Sequence, residues 1–292
     1  MGYIINAIDD SKELSVFAAD TTDMVERMRL YHDTYPVASA AIGRIMTMAS
    51  MMGMGMKGEK NKLTLAIKGN GPIGTITCTA DSRGYVKACA SKYDIDMPAR
   101  ERDGKLDVKR AVGSEGVITV IKDLGMKEPY IGKSPIVSGE IAEDMTYYLY
   151  KSEQIKNSVG LGVLVDKDYS IKKAGGFIVS LLPFAKDETI AKLEDNLKNI
   201  KSVTNLMEQG KSAEEIAGII LEGMGFNLLS KQEVKYECDC NRDRIVQILL
   251  TIGKRDLEEI YEQDGHLEMQ CHFCDKRYYF DEKELREIID RL

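Results

Sequence analysis

Along the first 183 residues, apolar positions fall into short β-like runs separated by helical stretches. The runs LTLAIK (63–68), IGTITCTA (73–80), GYVKACA (84–90), GVITVIKD (116–123), GLGVLVD (160–166) and GGFIVSLLP (175–183) have the length and apolar content of strands. Asp23 and Glu26 stand at capping-box spacing before a helix running through Met28. Pro36 opens a longer helical stretch, VASAAIGRIMTMASMMGMGM, and Glu140 to Ser152 reads as another helix. Strands clustered in sequence, with helices at intervals, predict an α+β fold: a mixed β-sheet domain with flanking helices.

After Pro183 the period changes. Ile190, Leu193, Leu197, Ile200 and Met207 recur at three- and four-residue steps, which puts one apolar stripe on a helix face. Gly210 is placed as a helix C′ residue, and Ser212 with Glu215 forms a capping box before Ile216, Ile219 and Ile220. Residues 184–232 therefore read as a helical connector between a domain at 1–183 and a small unit at 233–292. Helices of this length are marginal alone in water, so the stripe needs a partner. The core sheet is the expected one.

In the last unit, Ile245, Ile248, Leu249 and Ile252 predict a short helix stopped at Gly253, and Leu257, Ile260 and Tyr261 a second. HLEMQC and KRYYFD read as a hairpin, followed by a helix capped by Asp281 and Glu284. Some sixty residues hold a core poorly by burial alone. A staple is expected.

The cysteines supply one. Cys238-Asp239-Cys240 and Cys271-His272-Phe273-Cys274 give two close thiol pairs with 30 residues between them. Four such thiolates make a tetrahedral site that favours Zn2+, whose binding energy becomes folding energy for a small module. Lys235, Arg242, Arg244, Lys276 and Arg277 flank the pairs and are expected to favour thiolate. Each pair is also close enough in sequence for a local disulfide. Spacing alone leaves a structural zinc site and a redox-sensitive one both open. His272, inside the second pair, is expected to be left out of a ligand set that thiols already complete. Cys78 and Cys89 lie in apolar strand runs and read as buried small side chains.

Composition narrows the function. The chain has 292 residues, with 40 Lys+Arg against 47 Asp+Glu and a net charge of −7. That balance argues against nucleic acid, which demands clustered positive charge. The most apolar stretch, Ala41 to Met56, falls short of the roughly 20 residues of a membrane span and carries Arg44, so no membrane is expected. The N-terminus, MGYIINAIDD, lacks the pattern of a signal peptide, which predicts a cytoplasmic protein with reduced thiols. Gly69-Asn70-Gly71-Pro72-Ile73-Gly74 matches G-x-G-x-x-G but precedes a β-type run, so a turn is expected there rather than a dinucleotide site. Ile45 to Met56 holds six methionines in twelve residues, which reads as helix packing or as an adaptable apolar surface. Nothing resembles a catalytic constellation, so no enzyme is expected. A zinc-ribbon binding module with a purely structural zinc is the main rival reading; four thiolates close the shell against metalloenzyme chemistry, and the Cys-x-x-Cys lacks the βαβ setting of a thiol oxidoreductase.

YECDCNRDR with MQCHFCDKRYYFD resembles the C-terminal signature of the heat shock protein 33 family. HDTYPVASAAIGR, GNGPIGTI, ADSRGYV, VIKDLGMKEPYIG, VSGEIAEDMTYYLYKSEQ and AGGFIVSLLP resemble the family's core segments, in the family's order. The resemblance covers essentially the whole chain. It implies a stress-activated, ATP-independent holdase, inactive while Cys238, Cys240, Cys271 and Cys274 are reduced and hold one zinc. It further implies that oxidation forms Cys238–Cys240 and Cys271–Cys274 disulfides, with loss of zinc and of structure in the terminal module and connector. Unfolding client proteins are then bound, and the monomer expected when reduced becomes a homodimer. The resemblance assigns no role to Cys78 or Cys89.

Overall fold

The computed structural model describes residues 2–56 and 58–292, and the chain separates into two compact units, one ending at Glu237 and one spanning Cys238–Leu292. The fold is α+β. The first unit runs β1 (Tyr3–Ile8), β2 (Leu14–Asp20), α1 (Thr22–His32), α2 (Pro36–Met54), β3 (Lys62–Gly69), β4 (Thr75–Asp81), β5 (Tyr85–Ala90) and α3 (Val108–Val112). It continues with β6 (Gly116–Asp123), β7 (Tyr130–Pro135), α4 (Ile141–Ser152), β8 (Asn157–Val165), β9 (Ile171–Leu181), α5 (Asp187–Lys198), α6 (Val203–Glu208), α7 (Ala213–Ile220), β10 (Asn227–Glu233) and β11 (Lys235–Tyr236). The second unit contains α8 (Arg242–Ile252), α9 (Lys254–Asp264), β12 (Leu267–Gln270), β13 (Arg277–Phe280) and α10 (Glu282–Ile289).

Two sheets build the first unit, in the orders β10-β1-β2-β9-β8 and β11-β5-β4-β3-β6-β7. Pairing is antiparallel except for β11 beside β5, which makes the second sheet mixed. Helix α2 packs against strands of both sheets. Ile42, Ile45, Met46 and Met48 are fully buried there with Leu63, Leu65 and Ile76 of one sheet and Ile4 and Ile178 of the other. Met46, Met48 and Met51 of the methionine run are therefore core, and Met52, Met54 and Met56 pack half-buried against it. By length and composition this 19-residue helix could cross a membrane, because it begins at Pro36 rather than Ala41, but 83% of its most apolar window is buried inside the protein. Its one charge, on Arg44, is met by Glu140 at 2.7 Å, whose other carboxylate oxygen takes Arg100 at 3.0 Å.

Alternation along the five-stranded sheet sends Ile4, Ala19 and Ile178 toward α2 and Ile5, Val16, Ala18, Phe177 and Val179 to the opposite face. That outer face is covered by the connector helices: Leu193, Val203, Met207, Ala213, Ile216 and Ile220 are buried against it. Gly175 makes the close approach work, since a Cβ there would lie 2.4 Å from the Ala19 carbonyl oxygen and 2.7 Å from the Met207 sulfur. Ser212 and Glu215 form the capping box of α7, and Gly210 turns the chain at φ +83°.

Several local expectations give way to tertiary structure. The single stripe from Ile190 to Met207 is broken into α5 and α6. Residues 227–233 are a strand rather than helix, because β10 pairs with β1 from Asn227 to Glu233. Strands β10 and β11 thus belong to the sheets of the first unit. Asp23 and Glu26 form no capping box: the helix starts at Thr22 with no side-chain cap, and Glu26 instead accepts from the Arg29 guanidinium and the Ile171 N–H. Cys78 is fully buried, but Cys89 on the opposite face of its strand pair is half-buried.

Candidate metal centre

The second unit assembles its cysteines from two local structures. Cys238 and Cys240 lie in the irregular segment leading into α8, where Asn241 caps the helix by accepting the Arg244 N–H at 2.8 Å. Cys271 and Cys274 lie in the β12–β13 connection. The Cys271 N–H donates to the Lys276 carbonyl at 2.9 Å, and the Cys271 carbonyl accepts from Cys274 at 3.3 Å and Asp275 at 2.9 Å. Asp275 takes a left-handed conformation, φ +57°, which short polar side chains tolerate. The turn thereby points both thiols to one side.

All four sulfurs lie within 4.8 Å of one another, and all four residues are half-buried free thiols. Cys238 and Cys271 approach to 3.7 Å and Cys240 and Cys274 to 3.3 Å, so each half of the cluster meets the other directly. A tetrahedral zinc with bonds of about 2.3 Å separates its sulfurs by about 3.8 Å. The residues fit such an ion in type, number and spacing. His272 stays exposed and outside the group.

Electrostatics point the same way. Burial pushes the Cys238 thiol well up and raises Cys274 to about 11. At Cys240 burial is outweighed by hydrogen bonds, first among them one from the Tyr278 hydroxyl at 3.1 Å, and its pKa falls. The cluster thus favours a thiolate at Cys240 and protons on Cys238 and Cys274, and a divalent cation would displace those protons. The flanking cations do not perform the role expected of them. Arg242 pairs with Glu284 at 2.6 Å, Arg244 with Asp239, Arg277 with Glu268 at 3.1 Å and Lys235 with Glu237 at 3.2 Å, while Lys276 lies over the Tyr278 ring. Tyr278 is the site residue that the sequence reading missed. Its only local signal is the alternation of KRYYFD, which puts Tyr278 and Phe280 on the buried side of the hairpin and Tyr279 outside.

The G-x-G-x-x-G segment is a turn between β3 and β4. Its N–H groups are spent inside the protein: Gly71 donates to the Val112 carbonyl at 2.9 Å and Ile73 to Ala111 at 3.1 Å. No helix follows to hold a pyrophosphate.

The profile of the Hsp33 protein family matches residues 2–281. The chain belongs to the Hsp33 family. The 33 kDa chaperonin of Alkaliphilus metalliredigens is 46% identical over 289 residues, covering 99% of each chain. That of Clostridioides difficile is 46% identical over 290 residues, again covering 99% of each. The crystal structure of an Hsp33 homologue from Thermotoga maritima superposes with a TM-score of 0.91 at 34% identity, over 99% of this chain and 98% of that one. These relatives are all named 33 kDa chaperonins, and chaperonins are a non-enzyme class.

Proposed function

We propose that the protein is a redox-regulated, ATP-independent holdase that binds unfolding proteins and prevents their aggregation. Family membership across the chain supports a chaperone function. The observation that carries the redox part is the four-thiol cluster, set in a unit whose core is no larger than Ile245, Leu249, Leu257, Tyr278, Phe280, Leu285, Ile288 and Ile289. A zinc ion bound there would supply the cross-link that this unit lacks, without redox chemistry of its own.

Cys238, Cys240, Cys271 and Cys274 are then the ligands of one Zn2+ in a reduced, monomeric and inactive state, suited to the reducing cytoplasm. Oxidation to Cys238–Cys240 and Cys271–Cys274 disulfides removes every ligand together. The unit loses its staple, and residues 184–232 behave as a metastable connector that leaves the five-stranded sheet. The uncovered faces are apolar on both sides, which is what a non-specific client binder requires. Active molecules pair as homodimers through the first unit.

The test follows zinc content, aggregation of a heat-unfolded client and sedimentation in one sample, before and after warm peroxide. Joint loss of one zinc, gain of suppression and dimerisation, all reversed by dithiothreitol and added zinc, are expected. Zinc retained through oxidation, or lost with no gain in suppression, would instead establish the site as a purely structural zinc-ribbon module.

A further inference from the structure

We propose that Tyr278 sets the oxidation threshold of the four-cysteine centre, because its hydroxyl engages a lone pair of the Cys240 sulfur and slows attack of that thiolate on a hydroperoxide. The proposal deepens the redox reading above and rests on it.

The geometry is specific to one sulfur. Tyr278 is 5% exposed, and its ring belongs to the small core formed with Phe280, Leu249 and Leu285. A ring so packed cannot swing its hydroxyl elsewhere, and that hydroxyl donates to Cys240 Sγ at 3.1 Å. The residue bridges the two halves of the centre. It stands on β13, just after the Cys271–Cys274 turn, and reaches back 38 positions in sequence to the Cys-x-Cys half. Its neighbour Tyr279 is 54% exposed on the other side of the strand.

A donor at that position acts on chemistry rather than on packing alone. Hydroperoxide oxidation begins when a thiolate lone pair attacks the O–O bond: an S–O bond forms, O–O breaks, hydroxide leaves and a sulfenic acid remains. A second thiolate then attacks the sulfenyl sulfur, forming S–S and releasing another hydroxide, and both hydroxides take up protons to become water. Two electrons pass from the thiol pair to the peroxide. A hydrogen bond to sulfur is stronger when the sulfur carries full negative charge than in the transition state, where that charge is moving to oxygen. It therefore raises the barrier to the first step. Hydrogen bonds to ligating groups tune metal–thiolate centres by the same logic.

Zinc-loaded full-length protein, Tyr278→Phe and the control Tyr279→Phe would be compared by zinc release across a series of hydrogen peroxide concentrations. The slope against peroxide reads thiolate attack, and the intercept reads spontaneous dissociation. Tyr278→Phe should raise the slope about three- to tenfold with the intercept unchanged, while Tyr279→Phe matches the parent. With cobalt(II) as probe, the thiolate-to-metal charge-transfer band of Tyr278→Phe should move to lower energy, since an unengaged sulfur lone pair lies higher. Equal slopes, or a raised intercept with an unmoved cobalt band, would reduce Tyr278 to packing and overturn the proposal. Should Tyr278→Phe fail to give a tetrahedral cobalt spectrum, site-specific 3-fluorotyrosine at 278 decides: a stronger donor must lower the slope, and an unchanged slope overturns it. A flat response of the parent protein to peroxide would instead overturn the redox reading itself.

Discussion

Glu13 caps a helix whose N-cap residue, Lys186, lies 173 positions later. Its carboxylate accepts the Lys186 N–H at 3.2 Å and the Thr189 hydroxyl, so the first turn of α5 is closed by a side chain from the β1–β2 turn. Lys186, the N-cap residue, makes no side-chain cap of its own. The turn that presents Glu13 is held by Asp9, which accepts the N–H groups of Glu13 and Leu14 at 2.8 Å each. This is a tie between core and connector at the point where the connector starts.

Replacing Glu13 by Gln should therefore loosen α5 selectively, because an amide presents a weaker, uncharged acceptor to a helix N-terminus. Hydrogen exchange should rise across 187–198 while β1 and β2 stay protected. The Thr189 hydroxyl and Lys186 N–H hold the Glu13 pKa below its ordinary value. A depressed carboxylate stabilises the fold above its unfolded pKa and loses that contribution as pH falls through the folded one. Protection of α5 should accordingly decline as pH drops below the usual glutamate range, and Glu13→Gln should flatten that decline. An unchanged pH profile in the variant would deny the tie.

Removing one of the four clustered cysteines proposed to hold zinc should unfold residues 238–292 and spare the rest. A core as small as that around Leu249 and Phe280 is outweighed by the chain entropy of its unit, and structural zinc contributes on the order of 10 kcal/mol. Cys274→Ser, or a strong chelator under reducing conditions, should abolish exchange protection in α8 to α10. The two sheets of the first unit should remain protected. Retained protection in α8 after complete zinc removal would show that the hydrophobic cluster suffices.

Gly71→Ala should destabilise the first unit strongly. A Cβ there would sit 2.3 Å from the Ala111 carbonyl oxygen and 2.5 Å from the Val112 carbonyl carbon, both backbone atoms that cannot rotate away. A cost of about 2 kcal/mol or more follows from overpacking of this kind. Nucleotides should leave the melting temperature of the parent unchanged, since the loop N–H groups are already occupied. A nucleotide-dependent rise in melting temperature would restore the binding reading of this motif.

The parts that could be read in advance share a physical cause. The strand runs at 63–68 and 73–80, the helix from Pro36, and the capping boxes Ser212–Glu215 and Asp281–Glu284 are written in local periodicity and local hydrogen bonding. The four cysteines were legible because two close thiol pairs at such spacing match the ligand pattern of a four-thiolate metal site. Strand β10 was not legible: Leu228 and Leu229 are adjacent and exposed, with no alternation, and the segment is extended because β1 pairs with it. The cap of α5 was hidden for the same reason, its donor and acceptor being far apart in sequence. Tyr278 was hidden because hairpin alternation shows that a tyrosine is buried, not which sulfur its hydroxyl meets.

The connector offers the sharpest test of where clients bind. Leu193 is 6% exposed on α5, packed in the cluster that contains Val16, Phe177, Val179, Met207 and Ile216. An Asp there forfeits about 2–5 kcal/mol of packing and places a carboxylate against an apolar sheet face. Asn196, three residues on, donates to the Ile220 and Glu222 carbonyls at 3.0 Å each, so displacing α5 also frees the end of α7. Leu193→Asp, or the triple change of Ile190, Leu193 and Leu197 to Asp, should thus uncover the outer face of the five-stranded sheet without touching a cysteine. The reduced, zinc-loaded variant should suppress client aggregation before any oxidation, whereas Lys192→Asp on the exposed side of the same helix should not. If Leu193→Asp keeps its zinc and its sheets, exchanges freely across α5 and still fails to hold clients, the client surface lies elsewhere than on this face.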